Sequence, residues 1–144
     1  MADEPVIGMI GNIRRESTAV ELKPWRSGIS TITKPMISSM GPSDIPESAL
    51  AIGFAIVTEP DTISPPTHEH PFDQWIYLFG AEDFSEFDAD VEMTVGDEVL
   101  QINYPCYVFV PKNVKHCPLV VKRVGKPIIF ADARLTPEAS GRQG

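Results

Sequence analysis

Apolar and polar positions alternate in short runs along most of this chain, and turn residues separate one run from the next. Runs of strand length recur from residue 50 to residue 133, whereas patterns of helical period are scarce. Short β-rich runs with Pro, Gly and Asp between them predict an all-β domain, either a sandwich or a closed barrel. The predicted strands are Leu50–Thr58, Trp75–Phe79, Val91–Val95, Val99–Tyr104, Tyr107–Val110, Pro118–Val121 and Ile128–Ala133.

The two ends of the chain differ from this central part. Ser27–Ser39 is a β-branched stretch that predicts one more strand, and a Gly-Pro loop follows it. We predict a single domain at residues 41–135, preceded by an extension at residues 1–40. Because an exposed strand edge pairs readily with another chain, this extension should pack on the barrel or on a partner subunit. Residues 136–144 should form a frayed tail.

Size and charge restrict the classes of function. The chain has 144 residues, 42% of them hydrophobic, which suits one folded domain. No apolar run approaches the ~20 residues that cross a bilayer. The net charge is −8, and no Lys or Arg lies between Pro35 and Pro111, so nucleic acid and anionic membranes are poor partners. An acidic start without an export pattern, and cysteines too few for a disulfide framework, predict a cytoplasmic protein.

All three histidines of the chain fall in two short motifs. His68 and His70 form an H-x-H pair, and on an extended strand both imidazoles project to one side while Glu69 points away. Imidazole is the commonest transition-metal ligand in proteins, and two on one face supply half a site. His116 follows a short turn between two apolar strands. Because a single histidine is more often structural, the prediction of a metal site depends on the combination.

The combined pattern resembles the two motifs of the cupin superfamily over about residues 50–135. It reads H-x-H-x₃-Q-x₅-G from His68 to Gly80 and P-x-N-x₂-H from Pro111 to His116. The resemblance implies a jelly-roll β-barrel with a metal ion at its mouth, and frequent homodimers. The metal ligands that it implies are His68, His70, His116 and Gln74, the last in the place of the family's glutamate.

Two positions depart from these motifs. Asn113 replaces a glycine, and Asn tolerates left-handed backbone best after Gly, so the turn should persist. Gln74 replaces a glutamate, and its amide would leave the ion its full charge, which makes a stronger Lewis acid and favours an anionic substrate. Gln74→Glu should then retain or tighten metal binding. Alternatively, Gln74 does not bind and the centre has three histidines with open positions. Asp73 should point away from Gln74.

Strand parity also predicts which neighbours of the motifs face inward. Small-ligand pockets in barrels are mostly apolar, with a few polar groups. The inward set is Ile76 and Leu78 beside Gln74, with Pro118, Val120 and Lys122 beside His116, and the outward set is Trp75 and Tyr77, which should cover the barrel or contact a subunit.

Substrate binding and acid–base chemistry have further candidates. A carboxylate substrate requires a cation besides the metal, and we rank Lys34 and Arg134 first because both lie in strand-like segments. The other cations considered are Lys112, Lys115, Lys122 and Arg123. The acid–base candidates near predicted strand ends are Tyr107, Glu92 and Tyr104.

The resemblance implies a metal-dependent enzyme that acts on a small oxygenated or carboxylate-bearing molecule. One divalent ion of iron, manganese, nickel, copper or zinc would stabilise negative charge on the substrate oxygen. The family's chemistry includes dioxygenation, decarboxylation, isomerisation and carbon–carbon bond cleavage, and the resemblance does not select among them. The alternatives are a non-catalytic small-ligand binding or sensing module and a structural or storage protein. Only an enzyme should lose an activity on chelation.

Overall fold

The computed structural model describes residues 19–26, 34–64 and 66–135. Its regular structure in these ranges is nine β-strands and one short 3-10 helix, arranged as two antiparallel sheets. None of the helical structure described there is long and apolar enough to cross a membrane. The strands are β1 (Ile37–Met40), β2 (Leu50–Val57), β3 (Asp61–Ser64), β4 (Gln74–Gly80), β5 (Ala89–Val95), β6 (Glu98–Ile102), β7 (Cys106–Val110), β8 (His116–Val124) and β9 (Ile128–Leu135), and the 3-10 helix spans Gly41–Ser43.

Most consecutive strands lie in different sheets, as in a jelly roll. One sheet has the order β1-β2-β9-β4-β7, and the other has the order β3-β8-β5-β6. From β2 to β9 the chain changes sheet at every step except the β5–β6 hairpin. Between the named strands of the described ranges, no hydrogen-bonded pair joins the two sheets. The predicted all-β jelly roll is therefore confirmed, in the form of two facing sheets rather than a closed barrel.

Apolar side chains from the two inner faces fill the space between the sheets. Leu78 of β4, Met93 of β5 and Ile128 of β9 are completely buried. Buried residues alternate with more exposed ones along β4 and most of β5, as the period of a strand requires. Burying one such side chain stabilises the fold by roughly 1.5–3 kcal/mol. This core fixes the relative positions of the strands that carry the polar residues of the site.

The predicted core strands are all present, with shifted ends, but the sequence reasoning missed β3. Asp61–Ser64 lies between prolines, and Ile63 is its buried apolar residue, so its turn residues concealed a strand that pairs with β8. Of the predicted strand Ser27–Ser39, residues 27–33 lie outside the described residues. Ile37–Met40 forms β1, which pairs with β2 in the larger sheet. The boundary between extension and domain stays a prediction.

Gly80, the last residue of the first motif, ends β4 where the chain turns back on itself. A Cβ atom at this position would collide with the backbone carbonyl oxygens of Asp83 and Glu86. Glycine is therefore required here by the close approach of the following loop. Gly80 therefore has a structural role in the motif, and the histidines are the candidates for its chemical role.

Candidate metal centre

The three histidines converge on one point, as the sequence predicted. His68 and His70 lie between β3 and β4, and His116 begins β8. The backbone N–H of His68 donates to the carbonyl oxygen of His116 at 3.0 Å, and that of His116 donates to His68 at 2.9 Å. These two bonds tie the segments together directly. One ligand atom from each imidazole lies within 4.8 Å of the others, which makes the cluster a candidate metal centre.

Backbone carbonyls fix the tautomer of two of the rings. Nδ1 of His68 lies 2.8 Å from the carbonyl oxygen of Pro66, and Nδ1 of His116 lies 3.0 Å from that of Val114. A carbonyl oxygen only accepts, so in the neutral rings Nδ1 carries the proton and Nε2 keeps its lone pair. Nε2 of His116 is buried and finds no hydrogen-bond partner in the described part of the chain. Such an oriented lone pair suits a metal ligand.

His70 is held as a neutral ring. Its imidazole stacks on Phe72, with ring centroids 4.8 Å apart and an interplanar angle of 5°. Burial, and then the charges of His68, His116 and Arg134, lower the pKa of His70 to about 4. Burial also lowers the pKa of His116. Both rings are therefore neutral at pH 7, and the neutral imidazole is the form that binds a metal.

Gln74 begins β4, and its side chain is buried on the inner face of the sheet. Its Nε2 donates to Oδ1 of Asp132 at 2.7 Å. Its Oε1 is buried and has no hydrogen-bond partner among residues 19–26, 34–64 and 66–135. An unpartnered amide oxygen, added to three imidazoles, would fit the mixed nitrogen and oxygen ligation of divalent transition metals. Ligation by Gln74 stays a prediction that this oxygen supports.

Two charged residues of β9 lie on the same inner face. The register pairs Gln74 with Arg134 and Ile76 with Asp132. Nη1 of Arg134 lies 3.6 Å from Oδ2 of Asp132, and its guanidinium carbon lies 5.8 Å from the ring centroid of Phe72. Burial raises the pKa of Asp132, while the Gln74 hydrogen bond and the Arg134 charge favour its ionised form. The structure thus places Arg134, a predicted substrate-binding cation, close to the histidines.

Sequence reasoning missed Asp132, because the pattern of Ile128–Ala133 predicts one apolar strand. One signal was available in the printed sequence. Asp132 and Arg134 are alternate residues of a strand that is otherwise apolar, so they share a face. A buried strand that places opposite charges at alternate positions indicates a polar site on that face.

The turn before His116 is held by the segment that precedes β4. Asn113 has φ 63°, the left-handed conformation expected for the residue that replaces glycine. Its backbone N–H donates to the carbonyl oxygen of His70 at 2.7 Å, and the N–H of Lys112 donates to Oδ1 of Asp73 at 2.9 Å. Asp73 therefore holds the turn, while Gln74 is buried on the inner face of β4.

The predicted inward set after His116 is wrong, because the alternation of β8 shifts at Cys117. Cys117 has φ 79°, which no regular strand residue adopts. After it, Leu119 and Val121 are buried. The residues predicted to face inward are Pro118 and Val120, which are half-buried, and Lys122, which is exposed. The inward prediction for Ile76 and Leu78 and the outward one for Trp75 and Tyr77 are confirmed.

Two of the three acid–base candidates, Tyr107 and Glu92, lie on outer faces. Tyr107 is 58% exposed on β7 and packs against Tyr77. Glu92 on β5 accepts a hydrogen bond from Gln101 and pairs with Lys122 at 3.5 Å. Neither side chain joins the histidines, because their strands direct the alternate residues inward. Lys34, Tyr104, Lys112 and Lys115 are exposed, Lys34 in the bend before β1.

Solved structures share this fold. The oxalate decarboxylase of Lactobacillus farciminis matches with a TM-score of 0.54 and 13% identity, over 83% of this chain and 32% of that one. An oxalate oxidase in complex with the substrate analogue glycolate matches with a TM-score of 0.53 and 7% identity, over 82% and 58%. A cupin protein from Bacteroides fragilis matches with a TM-score of 0.48 and 10% identity, over 74% and 82%.

No protein-family profile and no curated relative matches the chain. The likeness to the oxalate decarboxylase and the oxalate oxidase supports the fold that the two motifs predicted. At 13% and 7% identity it establishes the fold alone. The chain spans less than two thirds of the oxalate decarboxylase and of the oxalate oxidase, so any reaction must be argued from its own site.

Proposed function

We propose that this protein is a metal-dependent enzyme of the cupin type that acts on a small oxygenated or carboxylate-bearing molecule. The observation that carries this proposal is the convergence of three imidazoles whose ligand atoms lie within 4.8 Å of one another. Within the described residues, Nε2 of His116 and Oε1 of Gln74 are buried without partners. A buried polar atom without a partner costs about 1–3 kcal/mol, and a bound cation would satisfy both atoms.

The donor set fits one divalent transition metal. His68, His70 and His116 would hold it through nitrogen, and Gln74 would hold it through oxygen. Iron, manganese, nickel, copper and zinc all accept such ligands. When bound, the ion supplies a Lewis acid for negative charge that develops on a substrate oxygen. Because all four side chains are neutral, none of them cancels the charge that attracts an anionic substrate.

Arg134 offers a second cation for a substrate carboxylate. Its planar guanidinium carries N–H donors in a fork that matches a carboxylate. The side chain is 18% exposed, and its contacts with Asp132 and Phe72 hold it beside the histidines. Low exposure strengthens the attraction between opposite charges. Arg134 therefore favours a carboxylate-bearing substrate, oriented with one end toward the guanidinium and the other toward the histidines.

A non-catalytic binding or sensing module is the second candidate function. It is favoured by the outward positions of Tyr107 and Glu92, which remove two of the three acid–base candidates from the site, and by the exposure of the third, Tyr104. The same imidazoles and guanidinium would then hold a small acid without transforming it. Consumption of the ligand distinguishes the two functions. The small-molecule partner and the cytoplasmic location stay predictions.

The outer face of the larger sheet supports the predicted homodimer. Its outward positions on β2, β9, β4 and β7 are apolar or aromatic. Since each chain carries a net charge of −8, two copies repel unless they meet through a face without charge. Strand β7 is at the edge of the larger sheet, and an unpaired strand edge can pair with a strand of another chain. The exposed residues that a second copy would cover are Leu50, Ile56, Tyr77, Tyr107, Phe109 and Leu135.

Metal analysis combined with substrate screening tests the proposed function. We expect about one divalent ion for each chain, and His116→Ala should remove it. Metal-loaded protein should consume at least one member of a panel of small carboxylic acids, hydroxy acids and diketones, and a chelator should stop this reaction. Binding without consumption would identify a binding module instead. Protein that takes up no ion even in excess metal would overturn the proposal.

A further inference from the structure

We propose that Asp132 is a positioning residue, which turns Gln74 into an oxygen donor and supplies negative charge from just outside the ligand set. The proposal deepens the proposed function, because it requires a metal ion at the three histidines. It explains how this chain accommodates an amide at the position where the related motif has a carboxylate. It also assigns a role to a charged residue that the sequence motifs do not include.

The two ends of the Gln74 amide are chemically different, and one contact decides their direction. An amide can turn either its NH₂ group or its oxygen toward a neighbour. Nε2 of Gln74 donates to Oδ1 of Asp132 at 2.7 Å, so this contact turns the NH₂ group toward the carboxyl group. Oε1 of Gln74 is thereby left as the buried acceptor that has no partner in the described ranges. Without the Asp132 carboxylate, nothing in this contact would prefer one direction of the amide.

Asp132 is itself held between two groups. Its Oδ1 accepts from Gln74, and its Oδ2 lies 3.6 Å from Nη1 of Arg134. Its cross-strand neighbours are Gly53 on β2 and Ile76 on β4, and neither side chain can donate a hydrogen bond. The two polar contacts therefore point the carboxylate along the inner face of the sheet, toward the end at which Gln74 and Arg134 lie opposite each other.

In this arrangement the negative charge belongs to Asp132, which contacts Gln74, and not to a residue that binds the ion directly. A carboxylate at position 74 would lie within hydrogen-bond distance of Asp132, and two like charges so close repel each other strongly. With glutamine, a single negative charge stays outside the ligand set and still attracts the cation. Asp132 therefore changes the expectation for Gln74→Glu. Made alone, this substitution should not tighten metal binding.

Four proteins test the coupling between the two positions: the wild type, Asp132→Asn, Gln74→Glu and the double variant. The probe is Co²⁺, whose affinity is measured by calorimetry and whose ligand set is followed by visible absorbance. Asp132→Asn should weaken Co²⁺ binding about 10–100-fold, as expected for the loss of a group that orients a ligand. Gln74→Glu added to Asp132→Asn exchanges carboxylate and amide between the positions, and it should recover at least tenfold. An equal effect of Gln74→Glu in both backgrounds would overturn the proposal.

A matched control and a second readout keep the test decisive. Asp73→Asn makes the same carboxylate-to-amide change at the residue next to Gln74. Because the Asp73 carboxylate accepts from the backbone of Lys112 and not from Gln74, the Co²⁺ affinity of this variant should stay within about twofold of the wild type. If Asp132→Asn does not fold, the comparison of Gln74→Glu with the wild type still tests the proposal. Clearly tighter Co²⁺ binding by Gln74→Glu would overturn it. Failure of the proposed function looks different, because the wild type itself would then bind no Co²⁺.

Discussion

The inner and outer faces of the larger sheet are built from alternate residues of the same strands, and each carries side chains that the usual pattern of a sheet would place on the other face. Toward one end of the inner face lie Gln74, Asp132 and Arg134. On the outer face of the same strands lie aromatic residues such as Tyr77 and Tyr107. In most antiparallel sheets that face water on one side, apolar residues point inward and polar residues point outward.

Both departures from the usual pattern raise the free energy of the folded protein unless a partner covers the buried polar groups and the exposed apolar groups. A buried polar group is expensive without a partner, and among the described residues unpartnered acceptors lie at Gln74 on this inner face and at His116 on the facing sheet. A contiguous exposed apolar face indicates an interaction surface. Each face therefore has groups that need a partner other than water, and we propose a metal ion with its substrate for the inside and a second copy of the chain for the outside. The following predictions test the two faces separately.

Removal of one imidazole should have the largest effect. His70→Ala should weaken Co²⁺ binding at least about 100-fold, more than the 10–100-fold typical of residues that only support a ligand. Its effect on the oligomeric state should be nil, because the ring lies inside. Calorimetry and sedimentation measure the two quantities. Glu92→Gln, on an outer face, is the control and should bind Co²⁺ like the wild type. Wild-type affinity in His70→Ala would contradict a three-histidine centre.

Charges placed on the outer face should separate the subunits. In Tyr107→Lys with Phe109→Lys, we expect the dimer dissociation constant to rise at least about 100-fold, since like charges across an interface cost several kcal/mol. Analytical ultracentrifugation measures this change, and Co²⁺ affinity should be unchanged. Val99→Lys is the matched control, because Val99 is 53% exposed but lies on β6 of the other sheet. A monomeric wild type would show that no second copy covers this face.

The stability of the metal-free protein should depend on pH because of the His70 imidazole. The pKa of His70 is about 4 in the folded state and near 6.5 when unfolded, so between these values the unfolded chain binds more protons. The free energy of unfolding should therefore fall as the pH is lowered from about 6.5 to about 4. Urea unfolding with a chelator present measures it. His70→Gln should flatten the slope, whereas the lysine variants of the outer face should keep it. Equal slopes in wild type and His70→Gln would contradict the pKa.

The turn at Asn113 should give the smallest effect. Its backbone is left-handed, which costs a residue with a Cβ roughly 1–2 kcal/mol, and less for Asn. Asn113→Ala should therefore lower the free energy of unfolding by about 1 kcal/mol, and Asn113→Gly should be nearly neutral. Urea unfolding checks both. The change in Co²⁺ affinity should be smaller than that of any histidine variant. A loss of stability in Asn113→Gly as large as in Asn113→Ala would show that the side chain itself matters.

The sequence by itself determined the features that depend only on residues adjacent in the chain. Alternation along Gln74–Gly80 fixed which side chains of β4 face inward, and the H-x-H spacing predicted that His68 and His70 would share a side. The substitution of Asn113 for glycine indicated the left-handed turn that the structure has. Each of these properties follows from local backbone geometry, which a few adjacent residues decide.

The tertiary structure decided what depends on contacts between distant parts of the chain. Gln74 and Asp132 are 58 residues apart, and only the pairing of β4 with β9 brings the amide to the carboxylate. Strand β3 is too short and polar to be recognised without its partner β8, and the irregular backbone at Cys117 redirects the residues after it. Strand pairing and register are set by the packing of the whole core, so no local pattern could have revealed that the Gln74 amide donates to the carboxylate of Asp132.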